Sequence, residues 1–328
     1  MKVLYALSKY PQLSETYVTA EIAFMLRAGV DVRVWSPFIR LPDVRPQTIC
    51  YADTLAHAMQ AFRPDVVHVH HLNVAHGVCK QLEAFKVPIT IRGHSFDFSV
   101  EAVHKLVALS SVEKVYLFPH FTRQVIHHKV FALPVAVDST KYKPEPNKDR
   151  SMVLRLGAGL DTKNLEDFFA VARLCAGFKF IVGLASCDDT SRVAHALMAK
   201  HPKTIATVFK DVSWEAAERL TKQTGIFLHT YDPKSHPFGM PISIAEALTA
   251  GATVLIRDSM AAREFAGDAG LYYNTPEEAA ETINLTLAWT SEIRKRQFDR
   301  SVQQGALYAD HAVLPRILHD WQALAQRR

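Results

Sequence analysis

Five short stretches bring together residue types that could handle a phosphorylated or hydroxylated ligand. "TIRGHSFDF" sets His94 and Asp97 just beyond a β-like run. A histidine there can donate to a sugar hydroxyl or stabilise a negative leaving group, and the carboxylate can orient it or accept from a hydroxyl. "LGAGLDTKN" places Gly157 and Gly159 ahead of Lys163, so that backbone can approach a ligand closely and a mobile ammonium can neutralise a diphosphate. The third glycine of the dinucleotide fingerprint is missing. "HPFGMPISIAEALTAG" carries one acid, Glu246, which fits a capping box with Ser243; a helix N-terminus there also suits a diphosphate, with Glu246 accepting from a ribose diol. "SKYPQLSET" offers Ser14, Glu15 and Thr16 to an acceptor, although Ser14 is equally placed to cap the next helix. "DVVHVHH" carries His68, His70 and His71; strand alternation sends His71 to the face opposite the other two, which argues against a shared metal.

Strand-like runs alternate with helical ones around these stretches. "KVLYALS", "DVRVWS", "DVVHVHH", "PITIRG", "KVYLFP" and "FALPV" precede a polar segment at 139–151; "SMVLRLG", "FKFIVGLA", "TIATVFK", "GIFLHT", "ATVLIRD" and "GLYYN" follow it. Alternation of this kind implies parallel sheets covered on both faces, with ligands at the carboxyl ends of the strands. "SETYVTAEIAFMLRAG" reads as a helix with Val18, Ile22, Met25 and Leu26 on one face and Gly29 as its stop. The expected domains are 1–145, 146–307 and a last helix at 308–328, with Leu314, Ile317, Leu318 and Trp321 apolar, which packs on the second domain or crosses back to the first.

The 328 residues are 48% apolar and 22% charged, which excludes a disordered chain. No apolar run reaches the length of a spanning helix and the start lacks a signal-peptide layout, so the expected location is the cytoplasm. A net charge of +5 is compatible with peripheral contact with an anionic membrane on its inner face; it is too small and too evenly spread for nucleic acid. Cys50, Cys79, Cys175 and Cys187 form no CxxC pair and are expected to be reduced.

Taken in order, "SETYV…EI", "RGH…D", "LPVAVDSTKYKP", "GAGLDTKN" and "PFGMPISIAEALTAGATVL…REFAGDAGLYYN" resemble the retaining sugar-nucleotide glycosyltransferases of family 4, in their exopolysaccharide and colanic-acid branch. The resemblance covers nearly the whole chain and is strongest over 225–274. It implies the α/β GT-B fold, two doubly wound Rossmann-like domains facing across a cleft, the first binding the acceptor and the second the nucleotide sugar. Lys163 matches the lysine that meets the donor diphosphate, and Glu246 the second glutamate of the E-x7-E motif, which holds the ribose. Gly239, Met240 and Ile242 match the loop near the sugar and phosphates, His94 a histidine near the transferred sugar, and Ser14 and Glu15 the loop over the reaction centre.

Two positions depart from the pattern. Eight residues before Glu246 stands Phe238, while His236 occupies the place that the following "PFG" marks for the first glutamate. Ala158 replaces the usual arginine after Gly157, with Arg155 nearby as a substitute. The implied reaction is transfer of a sugar from a UDP- or GDP-sugar to a glycan or lipid-linked acceptor with retained configuration, without cofactor or metal. A non-catalytic sugar-nucleotide-binding or scaffold protein and a sugar-nucleotide epimerase are the alternatives.

Overall fold

A computed structural model describes all residues except 13–14, 40–47, 51, 161–162, 186–189, 203–204, 233–236 and 328. The chain divides into two compact units. The first comprises Met1–Gln12, Val18–Val135 and Val313–Arg328; the second comprises Leu13–Tyr17 and Ala136–Ala312.

The first unit contains β1 (Lys2–Ala6), β2 (Lys9–Tyr10), β3 (Asp31–Trp35), β4 (Phe38–Ile39), β5 (Val66–His70), β6 (Ile89–Arg92), β7 (Val112–Leu117) and β8 (Val130–Ala132). Six of them form a parallel sheet in the order β3-β1-β5-β6-β7-β8, and β2 pairs with β4. The strand order reverses between β1 and β5. Apolar runs such as Val66–Val67 and Ile89–Ile91 are buried because helices cover the sheet.

One of those helices, Thr16–Arg27, buries Val18, Ile22 and Met25. It stops at Gly29, whose φ of 78° only glycine takes without cost, while Val30 N–H closes back on Met25 O at 3.0 Å. The helix Pro315–Ala325 also belongs to this unit; Trp321 is fully buried and its indole N–H donates to Thr90 Oγ1 at 2.9 Å.

The second unit contains β9 (Asp149–Ala158), β10 (Lys179–Ala185), β11 (Thr207–Lys210), β12 (Thr224–His229), β13 (Thr253–Arg257) and β14 (Gly270–Tyr273). They form a parallel sheet in the order β11-β10-β9-β12-β13-β14, reversing between β9 and β12. Phe168, Phe169, Phe180, Val182 and Leu228 lie in its core.

The boundaries differ from those read in the sequence. The second unit starts at Ala136 rather than 146 because Val137 N–H donates to Tyr308 O (2.7 Å) and Val137 O accepts from Asp310 N–H (2.8 Å). Tyr142, inside the segment read as a polar linker, is buried. Among the described residues no helix is long and apolar enough to cross a membrane. Cys50, Cys79 and Cys175 are free thiols, and Cys187 lies outside the described residues.

Candidate functional site

In doubly wound sheets the crevice forms where the strand order reverses, at the carboxyl ends of the strands. Both units place polar side chains there.

In the second unit the reversal brings the end of β9 beside the end of β12. Arg155, near the end of β9, is buried; its guanidinium donates to Leu156 O and, at 3.3 Å, to Thr230 O just past β12. Thr230 Oγ1 donates in turn to Lys163 O at 2.9 Å, which fastens the loop carrying Lys163 to the end of β12. Burial pushes the Lys163 ammonium down to about 8, helped by Arg155, and pushes Arg155 down to about 10. His229, the last residue of β12, is held well below its ordinary value by burial and then by Arg155 and Lys163.

Among the described residues, no hydrogen bond or ion pair joins these three groups to a carboxylate. Arg155 Nε and His229 Nδ1 are buried without a hydrogen-bond partner among the described residues. Such a cluster is a place for an anion, since a bound diphosphate would relieve the desolvated cations.

Gly157 supports this arrangement in an unexpected way. A Cβ there would stand 2.9 Å from Arg155 Nη1, so the glycine makes room for the guanidinium. Gly159 similarly accommodates the Thr190 backbone, 3.0 Å from where its Cβ would be.

The capping box is not formed. The helix Ile242–Thr249 begins with Pro241 as N-cap, two residues before Ser243, and no side chain caps it. Met240, at φ 48°, delivers the chain to Pro241, whose ring already holds a φ near −58°. Glu246 is therefore the fifth helical residue, too far along to reach back. Its carboxylate instead accepts from Thr16 Oγ1 at 2.8 Å and from Tyr142 OH. Burial raises Glu246 to about 7 despite those two bonds and the nearby Lys141.

Phe238 is buried among His229, Tyr231 and Phe265. It anchors a loop in which Gly239 and Ile242 are half-buried and Met240 is buried. Ser14 and His236 lie outside the described residues. Glu15 is half-buried and adjoins Thr16, in the segment grouped with the second unit, beside donor candidate Glu246.

In the first unit the reversal lies between β1 and β5. Glu21, on the buried face of the helix Thr16–Arg27, accepts from Tyr5 OH at 3.0 Å and forms a buried ion pair with Arg92 of β6. Arg92 also donates to Pro134 O at 2.7 Å. Glu21 Oε1 lies 3.2 Å from His68 Nε2 and 3.3 Å from His70 Nε2, all three side chains being fully buried. His68 Nδ1 is 2.8 Å from Thr90 Oγ1, and His70 Nδ1 is 3.1 Å from His94 Nε2. Burial would raise Glu21, but the His70 imidazole and the Arg92 guanidinium outweigh it and hold the carboxyl well below its usual range. Burial pushes His70 down to about 3 and His94 well below its ordinary value.

His71 does not sit apart from the other histidines. The strand ends at His70, and His71 takes φ 77°, which breaks the alternation and brings its ring centroid 4.8 Å from that of His94. Asp97 orients backbone rather than the His94 ring: it accepts from His94 N–H at 2.8 Å and from Leu72 N–H, pinning together the loops after β5 and β6, and its Oδ2 lies 3.7 Å from His71 Nδ1.

Glu21, Tyr5, Arg92, His229 and Tyr142 escaped the sequence reading. The visible signal for Glu21 was one acid among Val18, Ile22 and Met25, the positions read as the buried face.

A hollow of about 380 Å³ in the second unit, lined by Lys148, Arg150, Ile226, Trp289 and Phe298, lies at the opposite, amino ends of β9 and β12 and shares none of these groups.

No protein-family model and no curated protein matches the chain. Solved structures do. Sucrose-phosphate synthase from Thermosynechococcus elongatus superposes with a TM-score of 0.77 over 100% of both chains at 12% identity. HepE from Anabaena, solved in complex with UDP-glucose, gives 0.70 over 100% of both chains at 16% identity. A glycosyltransferase from Rickettsia africae gives 0.74 over 100% of this chain and 99% of its own, at 12% identity. The fold is GT-B.

Proposed function

We propose that this protein is a retaining glycosyltransferase of the family 4 type, transferring a hexosyl group from a UDP- or GDP-sugar to a hydroxyl of a glycan, a polysaccharide precursor or a lipid-linked acceptor. The observation that carries the reading is the cluster of desolvated Arg155, Lys163 and His229 where β9 and β12 part, with no carboxylate bonded to it among the described residues. HepE, which has this fold, was solved with UDP and with UDP-glucose.

In this reading Lys163 and Arg155 face the diphosphate. As the glycosidic bond breaks, negative charge grows on the leaving β-phosphate, and cations already desolvated stabilise it without reorganising. Glu246 takes the ribose hydroxyls, exchanging its bonds from Thr16 and Tyr142 for bonds from the ligand. Gly239, Met240 and Ile242 supply backbone near the sugar. The acceptor binds to the first unit, at the loops that carry His94 and Asp97, and Ser14 and Glu15 are assigned to the acceptor side by the resemblance. His236 takes the place of the first glutamate of E-x7-E. The protein works in the cytoplasm, in peripheral contact with the anionic inner face of the membrane.

The test is thermal stabilisation by a panel of nucleotide sugars, because a ligand at about 100 times its dissociation constant adds about 2.7 kcal/mol. A UDP- or GDP-sugar is expected to raise Tm, and Arg155→Met to abolish the rise. Stabilisation with neither donor hydrolysis nor transfer would make the protein a binding module instead. The same stabilisation in Arg155→Met would remove the cluster from the site.

A further inference from the structure

Glu21 has no part in the proposed reaction, yet it stands at one end of an unbroken buried chain of polar atoms. Glu21 Oε1 faces His70 Nε2 at 3.3 Å, and His70 Nδ1 faces His94 Nε2 at 3.1 Å. We infer that Glu21 is a positioning residue that acts through His70 to fix His94 as the tautomer protonated on Nε2, so that His94 Nδ1 is a hydrogen-bond acceptor, matched to a hydroxyl donor.

The argument is one of donor and acceptor counting. An ionised carboxylate only accepts, and Glu21 is kept ionised by its buried pair with Arg92. The His70 nitrogen nearest to it, Nε2, must therefore carry a proton. A neutral imidazole has only one, so His70 Nδ1 is a bare acceptor, and the His94 nitrogen 3.1 Å away must donate to it. With its proton on Nε2, neutral His94 presents a lone pair on Nδ1. The expectation that His94 donates to a sugar hydroxyl is thereby reversed: it accepts from one.

Two alternatives would invert the chain. A second proton on His70 would let Nδ1 donate to His94. Arg92 already balances Glu21, so that proton would leave a net positive charge among side chains with no solvent contact. The low value of His70, about 3, agrees. A divalent cation on Glu21, His68 and His70, whose ligand atoms lie within 4.8 Å of one another, would occupy His70 Nε2 and also make Nδ1 a donor. It would place two further positive charges beside Arg92.

The hydroxyl role of His94 rests on the transferase reading; the tautomer does not. Long-range ¹H–¹⁵N correlation on the full chain with ¹⁵N-labelled histidine reads it directly, with His70→Gln and His94→Gln assigning the signals. Protonated Nε2 and bare Nδ1 on His94, unchanged by EDTA, is the expected result. Protonated Nδ1 overturns the inference, and its loss on adding EDTA would identify a metal as the cause. In Glu21→Gln the amide N–H donates to His70 Nε2, and His94 is expected to switch to protonated Nδ1, a change that loss of packing alone would not produce.

Should that variant not fold, the wild-type spectrum still decides. With an acceptor in hand, Glu21→Gln is expected to lower kcat by about tenfold, the worth of about one hydrogen bond, with donor KM unchanged. If wild-type protein transfers no sugar, the transferase reading falls while the spectrum judges the tautomer alone.

Discussion

The two strand-order reversals have the same topology and opposite electrostatics. Between β1 and β5 the buried charges are matched: Glu21 faces Arg92, and His68, His70 and Tyr5 point their polar atoms at the same carboxylate. Between β9 and β12, among the described residues, the charges of the cluster are of one sign, Arg155 beside Lys163, with His229 held neutral by burial. A cluster whose charges are matched orders its own residues, whereas one whose charges share a sign is held in place by the fold around it and gains from a ligand of opposite sign. The contrast separates a site that orients groups from a site that binds charge.

The sharpest way to break the comparison is to remove the arginine from each. Arg92→Met strands the Glu21 charge in the core and is expected to cost about 3–5 kcal/mol in urea unfolding. Arg155→Met removes a desolvated charge together with its bonds to Leu156 O and Thr230 O, so the two effects offset. A loss under about 1 kcal/mol is expected. Equal losses would mean that the two clusters do the same job.

The carboxylates differ as the arginines do. Glu246, at about 7 against an ordinary 4.5, holds a proton in the folded state that the unfolded chain gives up. The stability from that proton is full below pH 4.5 and is lost as the pH rises through about 7, a total of about 3 kcal/mol at 1.36 kcal/mol per pH unit. Glu246→Gln is expected to match wild type at pH 4.5 and to exceed it at pH 8, while losing nucleotide affinity. Glu21, with its value depressed, contributes stability that is present above the unfolded carboxyl range and lost only in strong acid.

Lys163, at about 8, sharpens the reading of the cationic cluster. A diphosphate favours its charged form, so nucleotide binding at pH 8.5 is expected to take up a proton, seen in calorimetry as a dependence of heat on the buffer. Lys163→Ala should abolish the uptake and weaken binding by about 2 kcal/mol, the scale of a charge-assisted hydrogen bond. A small effect is also expected in the matched cluster: Trp321→Phe removes the bond to Thr90 Oγ1, which also meets His68, and should cost about 1 kcal/mol.

The strands of both sheets were legible because each is a β-rich run bounded by turn residues, and twelve such runs became β1, β3, β5–β8 and β9–β14. The pair β2 and β4, two residues each, is too short to leave a period. Gly29 as a helix stop was legible for the same local reason.

The clusters were not, because their members meet only through strand order. Arg155 and His229 lie 74 positions apart and converge because β9 pairs with β12; Glu21 and Arg92, 71 apart, converge across a helix and a sheet. The capping box failed on register, since Pro241 starts the helix before Ser243. His71 failed on one dihedral angle.

The closure of Val137 onto Tyr308 and Asp310 has a consequence for how the chain acquires its fold. It makes Ala136–Ala312, the bulk of the second unit, an insertion whose two ends are stitched to each other, leaving the first unit discontinuous in sequence. Trp321 reaches Thr90 across 231 positions of chain, so the core around β5 and β6 is completed only by residues synthesised after the whole insertion. Because loop closure grows costlier only slowly with length, a folded insertion with adjoining ends spares most of that entropy. Folding of the second unit is then the step that brings the last helix within reach of the first.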